Sequence, residues 1–173
     1  MTSSVTQSVG ERRTFKTILI AGIVAGSFDG SYAIVFYGLT RGISAQRIFQ
    51  HVASGLLGRA SFNLGWKSVV LGVACHFTVA IGAAATYAIA SRAMPILIRK
   101  PFLFGPPFGF AIYVFMNFVV VPLSRVTSSR GLGPIDALVT GVLVHMFLIG
   151  LPIALIVSRA HLAMWDRSPQ TQN

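Results

Sequence analysis

The run from Ile18 to Leu39, ILIAGIVAGSFDGSYAIVFYGL, constrains this chain more than any other stretch. It is almost wholly apolar, yet Asp29 sits near its middle. At ~1.5 Å of rise per residue a helix of this length crosses a hydrocarbon core of roughly 30 Å. A carboxylate at that depth costs on the order of 2.5–3.5 kcal/mol on insertion scales, so Asp29 is expected to face protein or water rather than lipid. Gly22, Gly26 and Gly30 recur every four residues and share one side of the helix, where a neighbouring helix can approach closely. Asp29 falls at the edge of that stripe. The expected geometry is a glycine-lined contact face with one carboxyl group directed into a helix bundle.

Three more apolar runs follow, at Ser68–Ala90, Phe102–Leu123 and Ile135–Val157. Together they predict an all-α polytopic membrane protein with four transmembrane helices in one domain over residues 17–158. Residues 1–16 form a Ser/Thr-rich, basic segment expected to be disordered, and 159–173 a polar C-terminal tail. Composition agrees: 10% of residues are charged, against about 25% in soluble domains. A basic flank before an apolar run can also be a cleaved signal peptide, but here apolar character resumes after Asp29 and no A-x-A site ends it. Pro106-Pro107 is expected to start or kink the third helix, and Pro152 to bend the fourth. The single cysteine, Cys75, excludes an intrachain disulfide. The net charge of +10 comes from fourteen Lys and Arg spread over every flank of the apolar runs. Such placement fits lipid headgroups and not nucleic acid. Eight of these cations lie on the side of the N-terminus and six on the other, which favours cytoplasmic termini.

Between the first two runs, Ser44 can cap a helix over Ala45–Leu57. Gln46, Arg47, Gln50, His51 and Ser54 fall on one face of it, and Ala45, Ile48, Phe49, Val52, Ala53, Leu56 and Leu57 on the other. Too short to span, this amphipathic helix is expected in the headgroup region, with a re-entrant segment as the alternative.

Each run carries one strong hydrogen-bonding side chain: Asp29, His76, Asn117 and His145. Counted from span ends on the same side of the membrane, Asp29, His76 and His145 lie at nearly one depth, with Asn117 shallower. This buried polar layer is a candidate proton or ligand site, because intramembrane ionisable groups default to that reading. Its bland rival is a set of interhelical hydrogen bonds at roughly 0.6–2 kcal/mol each. Gly72 and Gly141 precede His76 and His145 by one helical turn, an echo that leaves room for a close neighbour. Paired membrane histidines also suit haem b, and His76, His145 and Asp29 a divalent metal. No H-E-x-x-H, G-x-S-x-G or Walker glycine loop is present, and no catalytic residue is assigned.

The runs Ala53-Ser54-Gly55-Leu56-Leu57-Gly58, Leu71-Gly72 with His76-Phe77, Met116-Asn117-Phe118-Val119-Val120 with Pro122-Leu123, and Gly150-Leu151-Pro152-Ile153-Ala154 have a familiar look. With them the chain resembles a group of small bacterial inner-membrane proteins with four predicted spans, a family of uncharacterised activity. The resemblance implies architecture and a bacterial inner-membrane location, and no activity. The sequence therefore points to a non-catalytic, transporter-like or accessory membrane protein partnered by the lipid bilayer, with a second copy or another membrane protein as open partners. The alternatives are a haem- or metal-binding redox protein using His76 and His145, and an interfacial lipid-modifying enzyme with His51 near its site.

Overall fold

A computed structural model of the protein describes residues 2–126 and 134–165. Every regular element among them is helical. Helix α1 spans Thr2–Arg41, α2 Ala45–Leu57, α3 Trp66–Ala93, the short α4 Ile96–Arg99, α5 Pro101–Leu123 and α6 Ile135–Trp165. Four of these segments, Arg12–Arg41, α3, α5 and α6, are long and apolar enough to cross a membrane. The protein is an all-α polytopic membrane protein.

Three boundaries differ from the sequence reading. Helix α1 begins at Thr2, so the segment 1–16 read as disordered is helical from its second residue; a helix once nucleated in the apolar run extends at little cost per residue. Helix α5 starts at Pro101 and runs through Pro106 and Pro107. Pro101 takes the first-turn position where no amide donor is needed, and neighbouring helices tolerate the later prolines. Helix α6 extends past Val157, so residues 159–165 continue it rather than begin a tail. The polar loop at 127–133 and the tail from 166 lie outside the described residues.

The prolines leave a local signature. Met116–Val120 in α5 and His145–Gly150 in α6 are π-helical, and each ends two residues before a proline, Pro122 and Pro152. The amide of Val121 reaches back to the Met116 carbonyl, and that of Leu151 to the Met146 carbonyl. A proline ring clashes with the carbonyl four residues earlier, and the wider π turn relieves the crowding. The expected irregularity near Pro152 therefore takes the form of a π turn just before it.

Small residues set the packing. A Cβ on Gly22 would stand 2.6 Å from Ile81 Cα, and one on Gly26 3.0 Å from the Phe77 ring, so α1 and α3 touch nearly backbone to backbone. Gly105 and Gly109 of α5 meet α6 in the same way. A Cβ on Gly109 would run into the His145 carbonyl, and one on Gly150 into the Gly105 carbonyl. Without a hydrophobic drive in lipid, such close van der Waals contact is what holds membrane helices together. The buried core joins Ala21, Ala25, Ala84, Tyr87, Ile153 and Ala154 of α1, α3 and α6. Below it α4 is tied in by two side-chain bonds to its carbonyls: Tyr87 OH donates to Leu97 at 3.0 Å and Ser158 Oγ to Ile98 at 2.6 Å. Large apolar side chains such as Val70, Phe102 and Phe118 face outward, as lipid requires.

Candidate functional site

Helix α2 has three faces where periodicity indicated two. Ser44 caps it, accepting the Arg47 amide at 3.3 Å. The small and polar residues Gln50, Ala53 and Ser54 are buried against the protein, Gln50 only 3% exposed. Leu56 on the apolar side faces out, and Arg47 and His51 form an exposed polar edge. Amphipathicity had put Gln50 and Ser54 on the solvent face. Gln50 turns inward because a partner awaits it, Gln50 Nε2 donating to the Gly65 carbonyl at 3.3 Å, while Ser54 Oγ is satisfied within α2 itself by the His51 carbonyl at 2.6 Å. The α2 backbone also lies against α3 at Gly72, where any Cβ would strike the Phe49 carbonyl. Gly72 is six residues into α3, or ~9 Å of rise, so the Phe49 edge of α2 sits well within the end of the bundle.

That placement brings Phe49 to the ionisable pair. The Phe49 ring stands edge-on to the His76 ring with centroids 6.1 Å apart, and Phe77 flanks the other side at 5.3 Å. His76 Nε2 lies 2.8 Å from the Gly26 carbonyl oxygen of α1. A carbonyl only accepts, so Nε2 carries the hydrogen in the neutral ring. The remaining nitrogen, Nδ1, stands 4.0 Å from Asp29 Oδ2. The two side chains are 16% and 23% exposed, and Asp29 makes no hydrogen bond among the described residues. Gly30 also faces the ring, where a Cβ would stand 3.4 Å from His76 Nε2 in ordinary van der Waals contact. Beside the pair an open cleft of about 220 Å³ runs between α1 and α3, lined by Ser27, Ser31, Phe49 and His76 among others.

The other two members of the polar layer stand elsewhere. His145 Nδ1 bonds the Gly141 carbonyl of its own helix at 2.8 Å, and its ring packs edge-on to Tyr113 at 5.2 Å. Gly141 serves that contact, with a Cβ there meeting the Tyr113 ring at 3.1 Å. Asn117 Nδ2 donates to the Tyr113 carbonyl at 2.9 Å on an exposed surface of α5. Equal depth did not imply convergence: depth fixes height along the bundle normal, while rotation about each helix axis decides which neighbour a side chain meets. The expected single centre is thus two places, Asp29 with His76, and His145 with Tyr113.

Among the described residues no three His, Cys, Asp or Glu side chains gather around a point that could hold a metal ion. Asp29, His76 and His145 therefore do not form the metal centre considered from the sequence, and His76 Nε2 is already committed to a carbonyl. His51 lies near Phe62, with ring centroids 6.5 Å apart, and pairs with no carboxylate among the described residues. Desolvation by its surroundings lowers its pKa below the usual histidine value.

No protein-family profile, curated protein or solved structure matches this chain.

Two features escaped sequence reasoning. The Gly105-x-x-x-Gly109 spacing was visible, but the intervening Pro106-Pro107 pair suggested a helix start instead of a packing face. The inward face of α2 carried no signal in hydropathy, because polar side chains score as exposed unless their partners are known.

Proposed function

We propose that the protein is a non-catalytic, transporter-like membrane protein whose work is linked to a single proton held between Asp29 and His76. One observation carries this reading: the Gly26 carbonyl claims the Nε2 hydrogen, so the neutral ring turns a lone pair toward a carboxylate. A proton on either group would face the other across 4.0 Å. With the proton on Nδ1 the pair is imidazolium and carboxylate. Their attraction offsets part of the cost of holding charge at membrane depth. With the proton on Asp29 both groups are neutral. The pair stands beside a cleft that opens between α1 and α3.

The resemblance to small four-span bacterial proteins supports a bacterial inner membrane as the location. The eight-to-six distribution of Lys and Arg supports cytoplasmic termini. The test is proton movement into vesicles carrying purified protein, read by a trapped pH-sensitive dye under an imposed pH gradient. Asp29→Asn is expected to keep the wild-type thermal unfolding midpoint and to lose the flux. Flux equal to wild type in a folded Asp29→Asn variant ends the proposal, and absence of flux in the wild type leaves the accessory role in its place.

A further inference from the structure

A second site lies at the α2 end of the bundle, on residues the Asp29–His76 pair does not use. Arg47, His51 and Gly55 follow each other at four-residue spacing along one edge of α2. Gly55 and Gly58 have no side chains, and the chain leaving α5 packs there. The Arg125 amide donates to the Gly55 carbonyl at 2.9 Å, and a Cβ on Gly58 would lie 3.9 Å from Arg125 Cβ. The Arg125 backbone is thereby held against Gly58, the residue before Arg59, and both arginines are exposed. Arg47 is held in place as well, its guanidinium 4.2 Å above the Phe62 ring.

Among the described residues no carboxylate answers these charges. The one described acid at this end, Asp136, is taken by Arg41 in a bidentate pair at 2.8 and 3.1 Å. Among the described residues Arg47, Arg59 and Arg125 have no ion-pair partner. Exposed cations on neighbouring segments, left without a carboxylate, favour an anion from outside the chain. The adjoining surface is apolar: Leu56, Leu64 and Trp66 are all exposed on the same stretch of chain. Cations set beside exposed apolar side chains, at the ends of membrane-long helices, match the two halves of one molecule, a phosphate headgroup and its acyl chains.

We propose that Arg47, Arg59 and Arg125 bind the phosphate of an anionic phospholipid from the surrounding leaflet, with Leu56 and Trp66 against its chains. The lipid pins the Ser124–Val126 segment to α2.

Purified protein in nonionic detergent is titrated with phosphatidylglycerol, phosphatidylcholine or inorganic phosphate, and thermal unfolding is followed. Phosphatidylglycerol is expected to raise the midpoint at concentrations on the order of tenfold lower than phosphatidylcholine, an advantage that shrinks as salt is added. The Arg47→Gln/Arg59→Gln/Arg125→Gln variant is expected to lose that advantage, whereas Arg12→Gln/Arg13→Gln/Lys16→Gln at the opposite end keeps it. Should the triple variant fail to fold, Arg59→Gln alone is expected to weaken the phosphatidylglycerol response severalfold. Equal responses to the two lipids overturn the proposal. So does an undiminished phosphatidylglycerol response in the Arg47/Arg59/Arg125 variant or in Arg59→Gln, an equal loss in the opposite-end variant, or full stabilisation by inorganic phosphate alone.

Discussion

His76 Nε2 lies 2.8 Å from the carbonyl oxygen of Gly26, fifty residues away on the neighbouring helix. This one bond decides which nitrogen of the imidazole carries hydrogen and which is left to face Asp29. It exists because Gly22 lets the α1 backbone meet the α3 backbone at Ile81, while Gly26 and Gly30 leave room for the Phe77 and His76 rings. The stripe of absent side chains and the Asp29–His76 contact are thus one feature: a Cβ at Gly22 would push away the helix that carries His76, and one at Gly26 would crowd the Phe77 ring.

Gly22 and Gly82 provide a matched pair to test this. A Cβ on Gly22 would stand 2.6 Å from Ile81 Cα, while one on Gly82 meets nothing within 4 Å. Gly22→Ala is expected to destabilise by about 1–3 kcal/mol through overpacking. Gly82→Ala is expected to be neutral or slightly stabilising, since alanine is the better helix former. Thermal unfolding in detergent checks both, and equal effects at the two positions contradict the packing described.

The Arg41–Asp136 pair closes α1 onto α6 at 2.8 Å, but its side chains are 32% and 50% exposed. Asp136→Ala is expected to cost roughly 0–1 kcal/mol, and less in high salt. A larger, salt-independent loss on unfolding would show that the pair is shielded from solvent.

His51 predicts a pH dependence. Its folded pKa is lowered by desolvation, so the unfolded chain takes up the proton at higher pH than the folded one. The stability contribution is full above the ordinary histidine value of 6.5 and declines as pH falls from there through the folded value. The ring is partly exposed, so the slope is small. In nonionic detergent, His51→Gln is expected to flatten the decline of the unfolding midpoint below that pH, and an identical pH profile in the variant contradicts the assignment.

Much of the architecture was legible before any coordinates. Long apolar runs with basic flanks have one stable solution in lipid, and the Ser44 cap with a period near 3.6 marked α2 at both ends. The pairing of Asp29 with His76, and the separation of both from His145, were not legible. Hydropathy reports depth, whereas partners depend on helix rotation and on glycine contacts such as Gly109 against His145. The π turn beginning at His145 widens the helix there, and a periodicity of 3.6 does not capture that change.

The central claim is that the Gly26 carbonyl fixes the His76 tautomer so that Nδ1 faces Asp29. The direct measurement is nitrogen-15 NMR of histidine-labelled protein in lipid bilayers, for the wild type and Asp29→Asn. The account predicts that neutral His76 is the Nε2–H tautomer, and that Asp29→Asn shifts the His76 Nδ1 resonance while leaving the His145 resonances unchanged. A neutral Nδ1–H tautomer at His76, or a His76 Nδ1 resonance indifferent to Asp29→Asn, would contradict it.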